Sequence, residues 1–157
     1  MNKHRVIEII CVVFLVCFIA VISREDSYSD KTPKEIFNAV KVEMSMDDLS
    51  KVDKNKIKKD FGIDFQGIDS FLYYASDSIM NVNEIMIIKL KEGYKADGTL
   101  EKIEKRVNDK QVLFDGYAPQ QSALLKNYVL TYKNGIIFYA VGDGASEALK
   151  EFKSTIR

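Results

Sequence analysis

Histidine and cysteine are missing from almost the whole chain. The one histidine is His4, and both cysteines, Cys11 and Cys17, fall within the first 17 residues. Beyond them no Ser-His-Asp or Cys-His arrangement can assemble in cis, and the thiolate or imidazole ligands of ordinary zinc sites are absent as well. Nor can a disulfide staple the rest of the chain, so its stability must come from its core. No Ser-x-x-Lys spacing occurs, which removes that serine-acyltransferase pattern. Gly142-x-Gly144 lacks the third glycine of a dinucleotide loop, since Glu147 stands there. Calcium-loop spacing is missing too; Asp97-Gly98 and Asp143-Gly144 are isolated turn pairs. No cofactor or metal is expected, and no catalytic residue is assigned.

An excess of charge of either sign is also lacking. The 157 residues carry 23 basic and 23 acidic side chains. Lys3, Arg5 and Glu8 are the charges of the first 23 residues, so the remainder is close to neutral by itself. Such a domain has no field to attract a phosphate backbone, and nucleic acid is not an expected partner. With 46% hydrophobic residues, the composition is that of a folded domain and not of a disordered chain.

The longest hydrophobic run lies at the N-terminus, from Val6 to Ile22, broken by Glu8. As a helix it would measure about 25 Å, the lower end of what crosses a bilayer. Lys3 and Arg5 precede it, and Glu25 and Asp26 follow it. The positive-inside rule then leaves the N-terminus in the cytoplasm and the rest of the chain outside. A buried core helix would need a polar face, which this run lacks. Val21-Ile22-Ser23 is a small-residue cleavage site without alanine at its key positions, so residues 1–23 read as an uncleaved signal-anchor. Cleavage near Ser23, giving a secreted protein, is the alternative. The expected organisation is residues 1–23 as a single-pass signal-anchor crossing the membrane through residues 6–22, 24–31 as a polar linker, and 32–157 as an extracytoplasmic domain. The linker would reach about 26 Å when extended.

Within that domain, Thr32-Pro33-Lys34-Glu35 is a helix start with an N-cap, proline at the first helical position and a capping-box glutamate. Ile36, Phe37, Val40 and Met44 follow at helical spacing. A short helix fits Lys54–Phe61 between Asp53 and Gly62. Phe71–Ala75 and Ile85–Leu90 read as strands. A long helix opens at Asp97, with Leu100, Ile103, Val107 and Phe114 as its stripe, and Gly116–Pro119 ends it. Asn134-Gly135 predicts a two-residue type I′ hairpin joining Tyr128–Lys133 to Ile136–Val141. The last helix has Ala145, Ala148, Leu149, Phe152 and Ile156 on one stripe. The order is α-α-β-β-α-β-β-α after one N-terminal hydrophobic helix. That is an α+β domain, an antiparallel sheet packed against helices.

From about Thr32 onwards the chain resembles an uncharacterised family of exported Gram-positive bacterial proteins, domain-of-unknown-function family 4358. Phe61-Gly62-Ile63-Asp64, Asn83-Glu84-Ile85 with Lys89, Arg106, and Phe114-Asp115-Gly116-Tyr117-Ala118-Pro119-Gln120-Gln121 carry the resemblance, with Leu125-Lys126-Asn127 and the hairpin completing it. The resemblance implies a fold and an address outside the membrane, and no activity. Many members look like lipoproteins; this chain departs by lacking a lipid-attachment cysteine.

Five residues stand out as candidates for interaction. Glu84 begins an apolar strand, where it is either the acid of a carboxylate-dependent enzyme or an edge residue paired with a lysine or with Arg106. Arg106 lies beside the stripe of the long helix and can reach a carboxylate or the Gly116–Pro119 turn. Phe114 and Tyr117 either pin their loop to the sheet or form a recognition patch. Phe138 lies on the second hairpin face, which either meets a partner or is hidden by another helix layer. Two functions fit this set. One is a non-catalytic module binding an envelope protein or a wall component; the other is a carboxylate-dependent enzyme or binding protein for cell-wall polysaccharide.

Overall fold

The computed structural model describes residues 10–16 and 28–156. Residues 10–16 are helical and exposed, and the rest of the proposed signal-anchor lies outside the described residues. Among the described residues no helix is long and apolar enough to cross a membrane.

The elements run α1 (Pro33–Val40), β1 (Leu49–Lys51), α2 (Lys54–Phe61), β2 (Ile68–Ser76), β3 (Glu84–Leu90), α3 (Asp97–Phe114), α4 (Pro119–Lys126), β4 (Val129–Lys133), β5 (Ile136–Val141) and α5 (Ala145–Thr155). Local chemistry explains the first helices. Thr32 Oγ1 accepts from the Glu35 N–H at 3.3 Å while the Glu35 carboxylate accepts from the Thr32 N–H at 2.8 Å, closing the capping box. Asp53 accepts from the Lys56 N–H at 2.9 Å, and Gly62 caps the other end of α2.

The sheet is antiparallel throughout, in the order β1-β2-β3-β5-β4. The hairpin forms as the sequence predicts, with Tyr132 opposite Ile137 and Leu130 opposite Tyr139 across Asn134 (φ 51°) and Gly135 (φ 80°).

Two separate cores sandwich this sheet. On one face Tyr73, Met86, Ile88, Leu90, Ile137 and Tyr139 pack against Ile57 and Phe61 of α2, Ile103, Val107 and Phe114 of α3, and Leu125 of α4. On the other, Leu72, Ile85, Ile87, Ile136, Phe138 and Ala140 meet Ile36, Phe37 and Val40 of α1 and Ala145, Ala148 and Phe152 of α5. The helix–sheet–helix arrangement settles which residues the second hairpin face meets. Phe138 is completely buried and stacks on Phe152 with ring centroids 4.7 Å apart. It is a core residue, and no partner can reach it in this fold.

Two elements differ from the sequence expectation. Pro119 does not simply stop the long helix. It occupies the first turn of α4, where its missing N–H costs nothing. The edge strand β1 is only Leu-Ser-Lys, too short to show any period. Tyr28 and Ser29, assigned to the linker by sequence, pack on the hairpin turn. The Ser29 N–H donates to the Asn134 carbonyl at 2.8 Å, and a Cβ on Gly135 would fall 2.4 Å from the Tyr28 ring.

The entry to α5 is a tight crossing. Gly144 has φ +82°, and a Cβ there would meet the Glu43 carbonyl oxygen at 1.8 Å. Gly144→Ala is expected to destabilise the fold by about 1–3 kcal/mol through backbone strain alone, with the clash added. Gly62→Ala, at φ +68° with nothing within 4 Å, isolates the strain without the clash. Urea midpoints of the two variants should separate; equal midpoints would contradict the crossing.

Candidate functional site

The site is built around Glu84, the first residue of β3. The order of strands makes β3 the middle of five, so Glu84 is not the edge residue expected from sequence. Its side chain alternates onto the same face as Met86, beneath α2 and α3. Tyr73 of β2 and Tyr139 of β5 both lie opposite Met86, one on each side. From there their phenols reach Glu84. Tyr73 donates to Oε2 at 2.6 Å and Tyr139 to Oε1 at 2.5 Å.

Cations come from above. Arg106 and Lys110 are four residues apart on α3, hence on one helix face. Arg106 Nη1 donates to Glu84 Oε1 at 2.7 Å and Lys110 Nζ to the same oxygen at 3.2 Å. Phe61 closes the arrangement. The Arg106 guanidinium lies 4.1 Å from its ring centroid, and the ring stands edge-on to Tyr73 and Tyr139.

The electrostatics follow from burial and contact. Glu84 is 1% exposed, and burial alone would push its pKa up. Arg106 foremost, then Lys110 and the two phenols, overcome this and hold the carboxyl below its ordinary range. Burial, reinforced by the Glu84 charge, drives both Tyr73 and Tyr139 well above the usual phenol range. Lys110 is lowered, burial outweighing its attraction to Glu84. The ground state is thus one carboxylate, two cations and two protonated phenols. A general acid requires the opposite shift, a carboxyl held protonated at neutral pH.

Over this floor opens a cleft of about 330 Å³, whose lining includes Ile79, Asn83, Glu84, Arg106, Lys110 and Leu113. Phe114 is buried, forms part of its wall and stacks on Tyr117 at 5.5 Å, while Tyr117 is exposed. The structure therefore brings Glu84, Arg106 and Phe114 together, sets Tyr117 beside them and leaves Phe138 on the far face of the sheet. Sequence reasoning missed Phe61, Tyr73, Lys110, Tyr139 and Ile79. The one available signal was Arg106 and Lys110 at helical spacing. Among the described residues no group of three or more His, Cys, Asp or Glu is placed to hold a metal ion.

A family profile described as Domain of unknown function (DUF4358) matches residues 42–142. No curated protein and no solved structure matches the chain. The matched span contains all five strands and every residue of the Glu84 network; α1 and α5 lie outside it. With most of its length covered, the chain belongs to the family of domains of unknown function DUF4358.

Proposed function

We propose that this protein is a non-catalytic interaction module of the cell envelope, anchored in the membrane through residues 6–22 and engaging another envelope protein at the rim of the Glu84 cleft. The observation that carries the reading is the rim itself. Ile79 of the β2–β3 connection is 89% exposed and Leu113 of α3 is 67% exposed, yet both line the same cleft. Met80 and Val112, also exposed, adjoin them in sequence, and the exposed Tyr117 stacks on the lining residue Phe114. Large apolar side chains gathered around one opening are costly to leave in water, and such patches mark contact surfaces.

The position of the tether supports the same reading. Tyr28 and Ser29 pack at the hairpin turn, beside the Leu90 end of β3. Glu84 is at the other end of that strand, about 20 Å away. The chain can span at most about 22 Å between Ile22 and Tyr28. An anchor ending at Ile22 would hold the hairpin end close to the bilayer and turn the rim outward. Glu84 does not suit the general-acid role of a polysaccharide hydrolase, because Arg106 and Lys110 hold its pKa down.

A photo-crosslinking residue at position 79 or 113 of the full chain, in living cells, tests this. A discrete adduct from those positions and none from position 101, an exposed site near the start of α3, is the expected result. Equal capture from all three would remove the rim as a contact surface. A cysteine at position 102, with Cys11 and Cys17 replaced by serine, should react with a membrane-impermeant maleimide in intact cells. Labelling only after lysis would put the domain on the other side of the membrane.

A further inference from the structure

At the cleft floor the two cations Arg106 and Lys110 face one buried carboxylate, Glu84. Over the whole lining Lys56, Arg106 and Lys110 are matched in number by Asp60, Asp77 and Glu84. Glu84 faces both Arg106 and Lys110, whose side chains are 14% and 22% exposed. Lys56 and Asp60, which also line the cleft, pair with each other at 3.0 Å, and Asp77 on the β1 side accepts from Ser50 Oγ at 2.7 Å.

Donors are in surplus at the floor. A guanidinium has five N–H groups and an ammonium three. Among the described residues, the side-chain hydrogen bonds of Arg106 and Lys110 go to Glu84 Oε1 alone. The remaining donors of these two cleft-lining residues have no protein acceptor among the described residues. Asn83 lines the cleft too, but its unpartnered Oδ1 is buried beside Gly142 and Met44, away from the opening. Around these polar groups stand Ile79, Leu113 and Phe114. A cleft of about 330 Å³ is at the small end of sites that enclose ligands, so it admits a chain end and not a folded segment.

We propose that the cleft receives the free C-terminal carboxylate of a polypeptide ending in an apolar residue. The carboxylate meets the spare donors of Arg106 and Lys110, and the terminal side chain lies against Ile79, Leu113 and Phe114. Charge-assisted bonds of this kind are the strong ones, and Arg suits a planar carboxylate. The inference rests on the interaction reading above and names what the partner inserts. The lowered pKa of Lys110, caused first by burial, fits a group that a second anion would stabilise.

The test uses the full chain in lipid nanodiscs and three probes: acetyl-alanyl-leucine as its free acid, the same peptide as its C-terminal amide, and inorganic phosphate. Calorimetric titration should show saturable binding of the free acid and at least about tenfold weaker binding of the amide. Lys110→Gln, which keeps a donor for Glu84, should weaken the acid and leave the amide unchanged, with far-UV circular dichroism confirming the fold. Ile79→Ser should weaken both peptides. Equal binding of acid and amide overturns the proposal, as does a failure of the acid to saturate. Phosphate binding as tightly as the acid would also overturn it, by leaving a simple anion site. If position 79 crosslinks a partner in cells and the free acid does not compete with that adduct, the carboxylate inference falls and the interaction reading stands. Free-acid binding without any cellular adduct has the reverse meaning.

Discussion

Replacing Glu84 by alanine should lower the unfolding free energy by about 3–5 kcal/mol, the cost of stripping one partner from a buried ion pair. The carboxylate is the common acceptor of four side chains, Tyr73, Tyr139, Arg106 and Lys110. Without it, two cations and two phenols compete for water at the base of a narrow cleft. Glu84→Gln keeps the shape and an acceptor but removes the charge, so it should fall between alanine and the native residue. Urea unfolding of the full chain in micelles, followed by far-UV circular dichroism, measures these values. A double-mutant cycle with Arg106→Ala should give a coupling of about 0.5–3 kcal/mol, as contacting residues do. A loss below about 1 kcal/mol for Glu84→Ala would mean that the network does not hold the sheet to α3. Acid should imitate the mutation. Because the folded pKa of Glu84 is lowered, its stabilisation is complete above the unfolded value of about 4.3 and is lost as pH falls through the folded value.

The parts of this fold that sequence reveals are those written by local chemistry. The capping box at Thr32, the Asp53 cap and the Asn134-Gly135 turn each need only a few adjacent residues, and each forms as read. Sheet order is different, because it depends on which strands meet across long loops. Glu84 illustrates the consequence. In sequence it is the polar start of an apolar run, the usual description of a strand end at an edge. With β5 inserted beside β3, the same residue becomes central and fully enclosed. Its pairing with Arg106 was legible, since both residues flank apolar stripes. The phenols were not, since Tyr73 and Tyr139 converge on Glu84 only after β2 and β5 take their places on either side of β3. Phe138 shows the same limit: its alternation put it on the second hairpin face, and only the packing of α5 decided that this face is covered.

The rim of the cleft is a third kind of case. Ile79 and Leu113 are 34 positions apart by their numbers, and each alone reads as an ordinary surface residue. Their significance arises when the β2–β3 connection and the last turn of α3 reach the same end of the sheet. A stable network beneath an apolar opening has a plain physical use. The ionic floor fixes α3 against β3, so the rim residues carried by α3 stand on a braced base, and in the proposed role little ordering entropy would be lost on binding.

Alkaline solution should unfold this domain steeply, and the two network tyrosines are the cause. Burial first, then the Glu84 charge, raises both phenols well above their usual range. A raised folded pKa contributes stability that is complete below the unfolded value, about 10, and is lost as pH rises beyond it. In that window the unfolded chain releases a proton from each phenol while the folded one retains both. Each phenol therefore costs about 1.4 kcal/mol of stability per pH unit above 10. Lys110 acts in the opposite sense, because its folded pKa is lowered, but its effect is complete near its unfolded value of about 10.4 and cannot offset the tyrosines above that. Tyr73→Phe should remove one phenol's share of the slope, whatever Tyr28 and Tyr128 contribute. Absorbance at the tyrosinate band should then show two of the eight tyrosines ionising only as the circular dichroism of the fold is lost. If all eight ionise together near pH 10 with the sheet intact, the phenols are not held by Glu84, and the cleft has a softer floor than its geometry describes.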